Sequence, residues 1–580
     1  MARTVRLFVL GVAFAAFAEL ACRPAPQPGV APVLAGPPYD VVIEGGRIVD
    51  GSGNAWFYGD LAIRGDRIAR IVPPGMLRAV AARQRVDAHG LVVAPGFIDI
   101  QAHSRDELLA GDGRVVSKVT QGVATEIMGE GWTNAPVNDR ILEARDLIDP
   151  ADSAQTMRFR GAHGFDAWLR AMESHGMSVN AGSFVGAATV RIYAKGFAAG
   201  APTAAELDTM RAATQRAMAD GAFGLASALI YPPGNFAGTD ELIAIARAMS
   251  PYGGVYITHM RSEADQFLEA IDEAIRIGRE GGVPVEIYHL KAAGRRNWPK
   301  AAAAIAKIDS ARAAGLDVQA DMYPYVAGGT SLSACLPPWA SADGKLFENL
   351  RDSSARARIK AEVLSERTSW ENLCALATPE GVLVAELKKP ENSRWSGKRL
   401  SEIATDMHKP WVDAAIDLIL SEQQGIGALF FLMSEDNVAL QLRQPWIKIG
   451  TDAGGIDPDS ARGLAHPRSY GTYPRILGRY VREQRVISLE DAVRKMSGAV
   501  ATRLSIRDRG LLTPGYYADV VVFDPATIID RATFEQPHQL STGVRYLFVN
   551  GVAVVSNGRH TGAKPGRLVR GPGYDGGGAR

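Results

Sequence analysis

Residues 255–291 carry a pattern that few folds accommodate. Val255-Tyr-Ile-Thr-His259 is a short apolar run ending in histidine, and Val285-Glu-Ile-Tyr-His289 repeats it 30 residues later. Between them lie a polar opening (Arg261-Ser-Glu263-Ala-Asp265), apolar residues at helical spacing over 267–277, and the break Gly281-Gly-Val-Pro. This order predicts strand, helix, strand, and the spacing suits one β/α unit between parallel strands. Parallel strands bring their C-terminal ends to one rim, where β/α barrels keep their chemistry. Two imidazoles on that rim are placed to share a metal ion. A lone histidine would read as an ordinary polar strand end, but the repeat argues against that.

The 580 residues exceed one ordinary domain and leave room for a barrel with accessory parts. A hydrophobic content of 47% supports a large core without disulfides, and a net charge of +1 argues against a nucleic-acid binder driven by phosphate contacts. The three cysteines, Cys22, Cys335 and Cys374, are no disulfide framework. Cys335 and Cys374 lack metal-ligand spacing and read as core residues, with a bridge between them left open. At the N-terminus, Arg3 and Arg6 precede an apolar run over 7–18 that is too short for a membrane span. Ala16-Phe-Ala18 fits signal-peptide cleavage, and Glu19-Leu-Ala-Cys22 offers lipid attachment at Cys22 as the alternative. Residues 1–38 are therefore expected to be a signal peptide and a Pro-rich tether. The protein is expected to be exported, either periplasmic or lipid-anchored at Cys22 to the envelope of a bacterium.

From Tyr39 the pattern turns to alternating strands with Gly turns, and similar runs return near 515–562. The two chain ends, 39–94 and 506–565, are expected to build one small β-sandwich. It would flank an α/β, TIM-like (β/α)8 barrel over 95–505. Residues 340–430 break the β/α alternation, with Trp370, Trp395 and Trp411 scattered through them, and read as an inserted lobe. The Gly-rich end, 566–580, reads as a flexible tail.

Strand ends supply Gln101, His103, Glu130, His259, His289 and Asp452. Imidazole and carboxylate together suit zinc with an open position for water, and such water ionises near neutral pH. An aspartate beside it can pass the water's proton to a leaving amine. That is the chemistry of a hydrolase. His466, shortly after Asp452, stands apart from the remaining histidines, which lie in turns or surface-like segments.

These segments resemble the N-acyl-D-amino-acid deacylases of the amidohydrolase superfamily. The resemblance rests on Ala94-Pro-Gly-Phe-Ile-Asp, Tyr231-Pro-Pro-Gly, Thr258-His-Met-Arg-Ser-Glu, His289-Leu-Lys, Tyr323-Pro-Tyr and His466-Pro-Arg-Ser-Tyr-Gly-Thr-Tyr, in that order along the chain. It implies a barrel with a β-sandwich and an inserted lobe, and hydrolysis of N-acyl-D-amino acids to a carboxylate and a free D-amino acid. It implies a tightly bound Zn2+ on Glu130, His259 and His289, with Asp452 as general acid/base. It also implies that Tyr231, Lys291 and Arg468 hold the substrate's α-carboxylate and that Tyr323 donates to the developing oxyanion.

Three departures from the family pattern stand out. His-x-His is replaced by Gln101-Ala-His103, the position of Glu130 is commonly cysteine, and Gly-His-Gly reads Gly186-Ala187-Ala188. An amide oxygen is a weak, neutral ligand, so a second metal site on Gln101, His103 and Asp452 is expected to be weak or empty. Two other readings compete. One is a dipeptidase or a cyclic-amide hydrolase of the dihydroorotase or hydantoinase kind, although a cyclic diamide lacks the carboxylate that Lys291 and Arg468 would hold. The other is a non-catalytic binding protein with a decayed metal site.

Overall fold

The structure, a computed structural model, describes residues 38–146, 155–366, 368–423 and 425–576. The expected signal segment, tether and lipid-attachment residue Cys22 lie outside the described residues.

The N-terminal strands are β1 (Tyr39–Ile48), β2 (Phe57–Arg64), β3 (Arg67–Val72), β4 (Ala82–Asp87) and β5 (Val92–Pro95). Gly65 turns β2 into β3 with a left-handed φ of 57°, a conformation glycine adopts at no steric cost. Directly after β5 the chain enters β6 (Phe97–Asp99), the first barrel strand. It is followed by β7 (Val123–Met128), β8 (Asn180–Ser183), β9 (Val185–Gly186), β10 (Gly224–Ala228), β11 (Val255–His259), β12 (Val285–Ile287) and β13 (Val318–Met322). Next come β14 (Ala327–Ser331), β15 (Val382–Glu386) and β16 (Gly427–Phe431), then the last barrel strand, β17 (Ile447–Ile449). The C-terminal strands are β18 (Val520–Phe523), β19 (Val544–Val549), β20 (Val552–Ser556) and β21 (Arg559–His560).

The barrel strands pair in parallel as β6-β7-β8 and as β9-β10-β11-β12-β13-β17. Two seams close the ring. Phe223 N–H donates to Ser183 at 3.1 Å beside β8, and Asp452 N–H donates to Gln101 at 2.8 Å while His103 N–H donates to Ala453 at 3.0 Å. The second seam puts the ends of β6 and β17 side by side, which is why Gln101, His103 and Asp452 meet.

The unit between the two histidines folds as its pattern dictates. Phe267, Ala270, Ile271, Ala274 and Ile277 form the buried stripe of the helix Phe267–Gly281. Burying each large member of that stripe contributes about 1.5–3 kcal/mol. Gly278 lets the helix approach its sheet, because a Cβ there would collide with Val285. Gly282, left-handed at φ 67°, ends the helix and turns the chain towards Pro284.

Strands from both chain ends form one nine-stranded sheet, in which β18 joins the N-terminal half by pairing with β5. The sheet folds over a core shared by Ile43, Ile63, Val93, Val520, Val522 and Phe548. The inserted lobe has its own antiparallel sheet, β14-β16-β15, so it opens at Ala327, earlier than the sequence pattern placed it. Its separate core holds Cys335 and Cys374, which are joined in a disulfide.

The expected flexible tail is corrected over 566–576. Gly566 N–H donates to Met177 and Val569 N–H to Ala181, both at 2.8 Å, and Gly571 N–H donates to Gly221 at 2.8 Å. Val569 is buried against the barrel-interior residues Ile127, Phe184 and Phe223. The glycines serve close backbone approach here, since a Cβ on Gly571 would meet the Ala222 carbonyl.

Candidate active site

Four strand ends and two loops converge on one centre. Glu130 follows β7, His259 ends β11, His289 follows β12, and Asp452 follows β17. Glu130 Oε1 lies 3.2 Å from His259 Nδ1 and 3.5 Å from His289 Nε2. One ligand atom from each of these three residues falls within 4.8 Å of the others. Ligand atoms held about 2.0–2.1 Å from a tetrahedral zinc ion stand about 3.3 Å apart. Both separations from Glu130 lie close to that spacing, and the donor types are those zinc takes. A second group, His103, Glu130 and Asp452, also meets the 4.8 Å limit.

Backbone strain aims two of these side chains. His289 and Asp452 have φ of 34° and 50°, in the left-handed region. Such conformations cost about 1–3 kcal/mol each and concentrate at functional sites. Asp321 on β13 pins His289 by accepting its backbone N–H at 2.8 Å. With Nε2 turned to the centre, His289 Nδ1 faces both Glu263 Oε1 at 2.9 Å and Lys291 Nζ at 2.7 Å. Lys291 Nζ donates to both Glu263 oxygens, at 2.7 and 2.9 Å. Burial works against the charged Glu263, but Lys291 and the two histidines outweigh it and hold the carboxyl well below the usual range.

Asp452 lies between two cations. Its Oδ1 is 3.1 Å from His103 Nε2, and its Oδ2 is 2.7 Å from an Arg468 guanidinium nitrogen. Burial would raise its carboxyl, yet Arg468, His289 and His103 prevail and lower it, so the group is ionised at neutral pH. His466 donates from Nε2 to Ala327 O at 2.8 Å and accepts the Arg468 backbone N–H on Nδ1 at 3.0 Å. Desolvation first, and Arg468 second, hold it well below its ordinary value, so it is neutral.

Around the centre lies a cavity of about 770 Å³. Tyr231, Lys291, Tyr323 and Arg468 line it together with the metal-site residues. The Tyr323 hydroxyl is buried without a hydrogen-bond partner among the described residues, and the Arg468 guanidinium carbon sits 4.6 Å from its ring centre. The inserted lobe closes one side with Leu373, Ala428, Leu429 and Phe430.

Gln101 departs from its expected place. It was grouped with His103 and Asp452 as a weak ligand, but its amide Nε2 donates to Glu130 Oε2 at 2.5 Å. An N–H in that direction has no lone pair to offer a cation. Glu263 was not recognised as a site residue in the sequence, although its position four residues after His259 was a usable signal. The inserted lobe was expected to be able to cover the rim, but which of its residues reach the cavity wall had no signal, because no periodicity ties them to the barrel.

Known proteins resemble this chain over most of its length. Residues 412–555 match the model of the Amidohydrolase family. The chain is 36% identical to the D-aminoacylase of Alcaligenes xylosoxydans xylosoxydans, over 92% of this chain and 98% of that protein. Among solved structures, one of D-aminoacylase, described as having a binuclear metal centre, superposes with a TM-score of 0.76 at 36% identity, covering 92% of this chain and 100% of that one. The N-acyl-D-glutamate deacylase of Bordetella bronchiseptica, complexed with zinc and a phosphonate mimic of the tetrahedral intermediate, has a TM-score of 0.73 at 31% identity, with coverage of 92% and 100%.

Proposed function

The chain belongs to the D-aminoacylase family of N-acyl-D-amino-acid deacylases, within the amidohydrolases, and from that premise we propose how its residues work. It is a metal-dependent amidohydrolase that hydrolyses N-acyl-D-amino acids to a carboxylate and a free D-amino acid. The observation that carries the residue assignment is the meeting of Glu130, His259 and His289, with ligand atoms within 4.8 Å of one another, beside an ionised Asp452.

In this reading Glu130, His259 and His289 hold zinc. Zinc bound there supplies a Lewis acid that ionises water near neutral pH. Asp452 takes the proton as the water oxygen attacks the amide carbon, then delivers it to the departing nitrogen. Tyr323, whose hydroxyl is unpaired, donates to the oxygen that gains charge. Lys291, Arg468 and Tyr231 receive the α-carboxylate and fix the substrate's orientation. The carboxylate then takes over part of the charge pairing that Glu263 and Asp452 provide here. Those cations also favour a linear substrate over a cyclic diamide.

Export follows from Arg3, Arg6 and the apolar run over 7–18. The Cys335–Cys374 disulfide supports it, because such bonds persist in oxidising compartments. Lipid labelling of the wild type, set against Cys22→Ala, separates an anchored protein from a freely secreted one.

The assay that tests the function uses purified, zinc-supplemented protein against matched N-acetyl-D- and N-acetyl-L-amino acids. Turnover confined to D-substrates is expected. Turnover confined to L-substrates or to dipeptides would remove the proposal.

A further inference from the structure

We infer that Gln101 closes the second cation position of this centre with an amide N–H, making the enzyme a one-ion hydrolase that refuses a second. The inference rests on Glu130, His259 and His289 being the ligands of the first ion.

The two oxygens of Glu130 face different neighbours. Oε1 faces the imidazoles of His259 and His289, whereas Oε2 faces Gln101 Nε2 at 2.5 Å and His103 Nε2 at 3.4 Å. A second ion held by His103, Glu130 and Asp452 would need a lone pair on Glu130 Oε2. That oxygen is engaged by a donor with nothing to give a cation. Imidazole at position 101 could deprotonate and ligate, but an amide nitrogen cannot.

Turning the amide over would not open the site. It would set the Gln101 oxygen against Glu130 Oε2 at hydrogen-bond distance with no proton between them. It would also remove the side chain's hydrogen bond to Glu130. Nor can the side chain swing away easily. Gln101 is 1% exposed, its N–H donates to Asp99 Oδ1 at 3.2 Å, and its carbonyl accepts Asp452 N–H at 2.8 Å. Gly450 packs against it so closely that a Cβ there would stand 3.0 Å from Gln101 Cβ. The other donors are also engaged, since Asp452 holds His103 through Oδ1 and Arg468 through Oδ2. Gln101 is thus a positioning residue. It fixes Glu130 with one oxygen towards the first ion and withholds the other from a second.

The test counts ions in the full-length protein. Metal-stripped wild type, Gln101→His and Gln101→Glu are each incubated with several equivalents of Zn2+, freed of unbound ion and analysed by plasma mass spectrometry. Circular dichroism monitors folding, and Mn2+ loading followed by electron paramagnetic resonance reports spin coupling between neighbouring ions. Wild type is expected to retain about one ion per chain and to show no coupling, while Gln101→His takes up about two. Gln101→Glu, nearly identical in shape, offers a carboxylate oxygen and should also admit a second ion. It decides the matter if the histidine variant does not fold, and if neither variant folds the wild-type count decides it alone. Two retained ions in wild type, or folded variants that both stop at one, would overturn the inference. Wild type retaining none would instead sink the ligand assignment beneath it.

Discussion

At the scale of single residues, the informative positions are those where this chain departs from the family pattern. Gln101 and Glu130 read in sequence as two separate substitutions, the first weakening a second metal site and the other keeping a ligand in the first. In space they are partners, joined at 2.5 Å. Sequence spacing does not reveal this, because it sets the ends of the neighbouring strands β6 and β7 side by side without fixing which way each side chain turns. Asp452 stands at a strand end already visible in the sequence, and the role proposed for it carries a sharp prediction. Asp452→Asn should lower kcat by about 10²–10⁴-fold, the range expected for loss of general acid–base catalysis, while zinc content, measured by mass spectrometry, stays at the wild-type level. His466 carries a second. It is held neutral by desolvation and by Arg468, well below its ordinary 6.5. The unfolded chain therefore binds a proton that the folded one refuses as pH falls below 6.5. The stability that His466 contributes is complete above that pH and is lost progressively below it, by at most about 1.4 kcal/mol per pH unit. Thermal melts of wild type from pH 7.5 down should show Tm falling below 6.5, and His466→Gln, which has no such titration, should flatten that part of the fall.

Among the elements, the inserted lobe separates what the sequence conveyed from what it did not. The break in β/α alternation marked its presence, while its separate core was not read from the sequence. Its start was missed because β14 follows β13 after only a short connection and reads as part of the same barrel unit. The pairing of Cys335 with Cys374 was left open because nothing in the sequence fixes where the two strands of chain meet. The structure brings them together across a separation of 39 residues. Closing a loop of that length stabilises by about 4 kcal/mol in the chain-entropy treatment. Leu373, next to Cys374, lines the substrate cavity. Replacing both cysteines by serine should therefore lower Tm and raise KM, with kcat changing less than KM, because the metal ligands belong to the barrel. The lobe wall presents apolar Leu373, Ala428, Leu429 and Phe430, with Glu386 as its acid. Initial rates across a D-series should accordingly favour N-acetyl-D-leucine over N-acetyl-D-aspartate, and the reverse order would show that a cation outside this wall governs side-chain choice.

Over the whole molecule, the chain's two ends do more than flank the barrel. Their shared sheet was legible because alternating apolar strands with glycine turns occur at both termini and neither set can bury a face alone. The last segment was misread because glycine-rich composition signals freedom only when the backbone has no partner. Here the glycines permit contact. Gly566 and Gly571 let the backbone lie against Met177 and Gly221, Leu568 forms a parallel bridge with Ala181, and Asn180 accepts the Arg567 N–H at 3.1 Å. Val569, 7% exposed, packs with Ile127, Phe184 and Phe223 inside the barrel. Its backbone bond to Ala181 and its packing on Phe223 lie at the starts of β8 and β10, the strand ends away from those bearing His259 and Asp452. Removing residues 566–580 should expose that apolar floor and leave the β8 backbone groups unpaired. The loss of Val569 burial alone is worth about 1.5–3 kcal/mol. Calorimetry should show a clearly lower Tm, whereas KM and zinc content below the new transition should match wild type. A truncated chain that melts with wild type would show that the segment rests on the barrel without bracing it. A chain that kept its Tm but lost zinc would tie the floor to the metal rim through the strands between them.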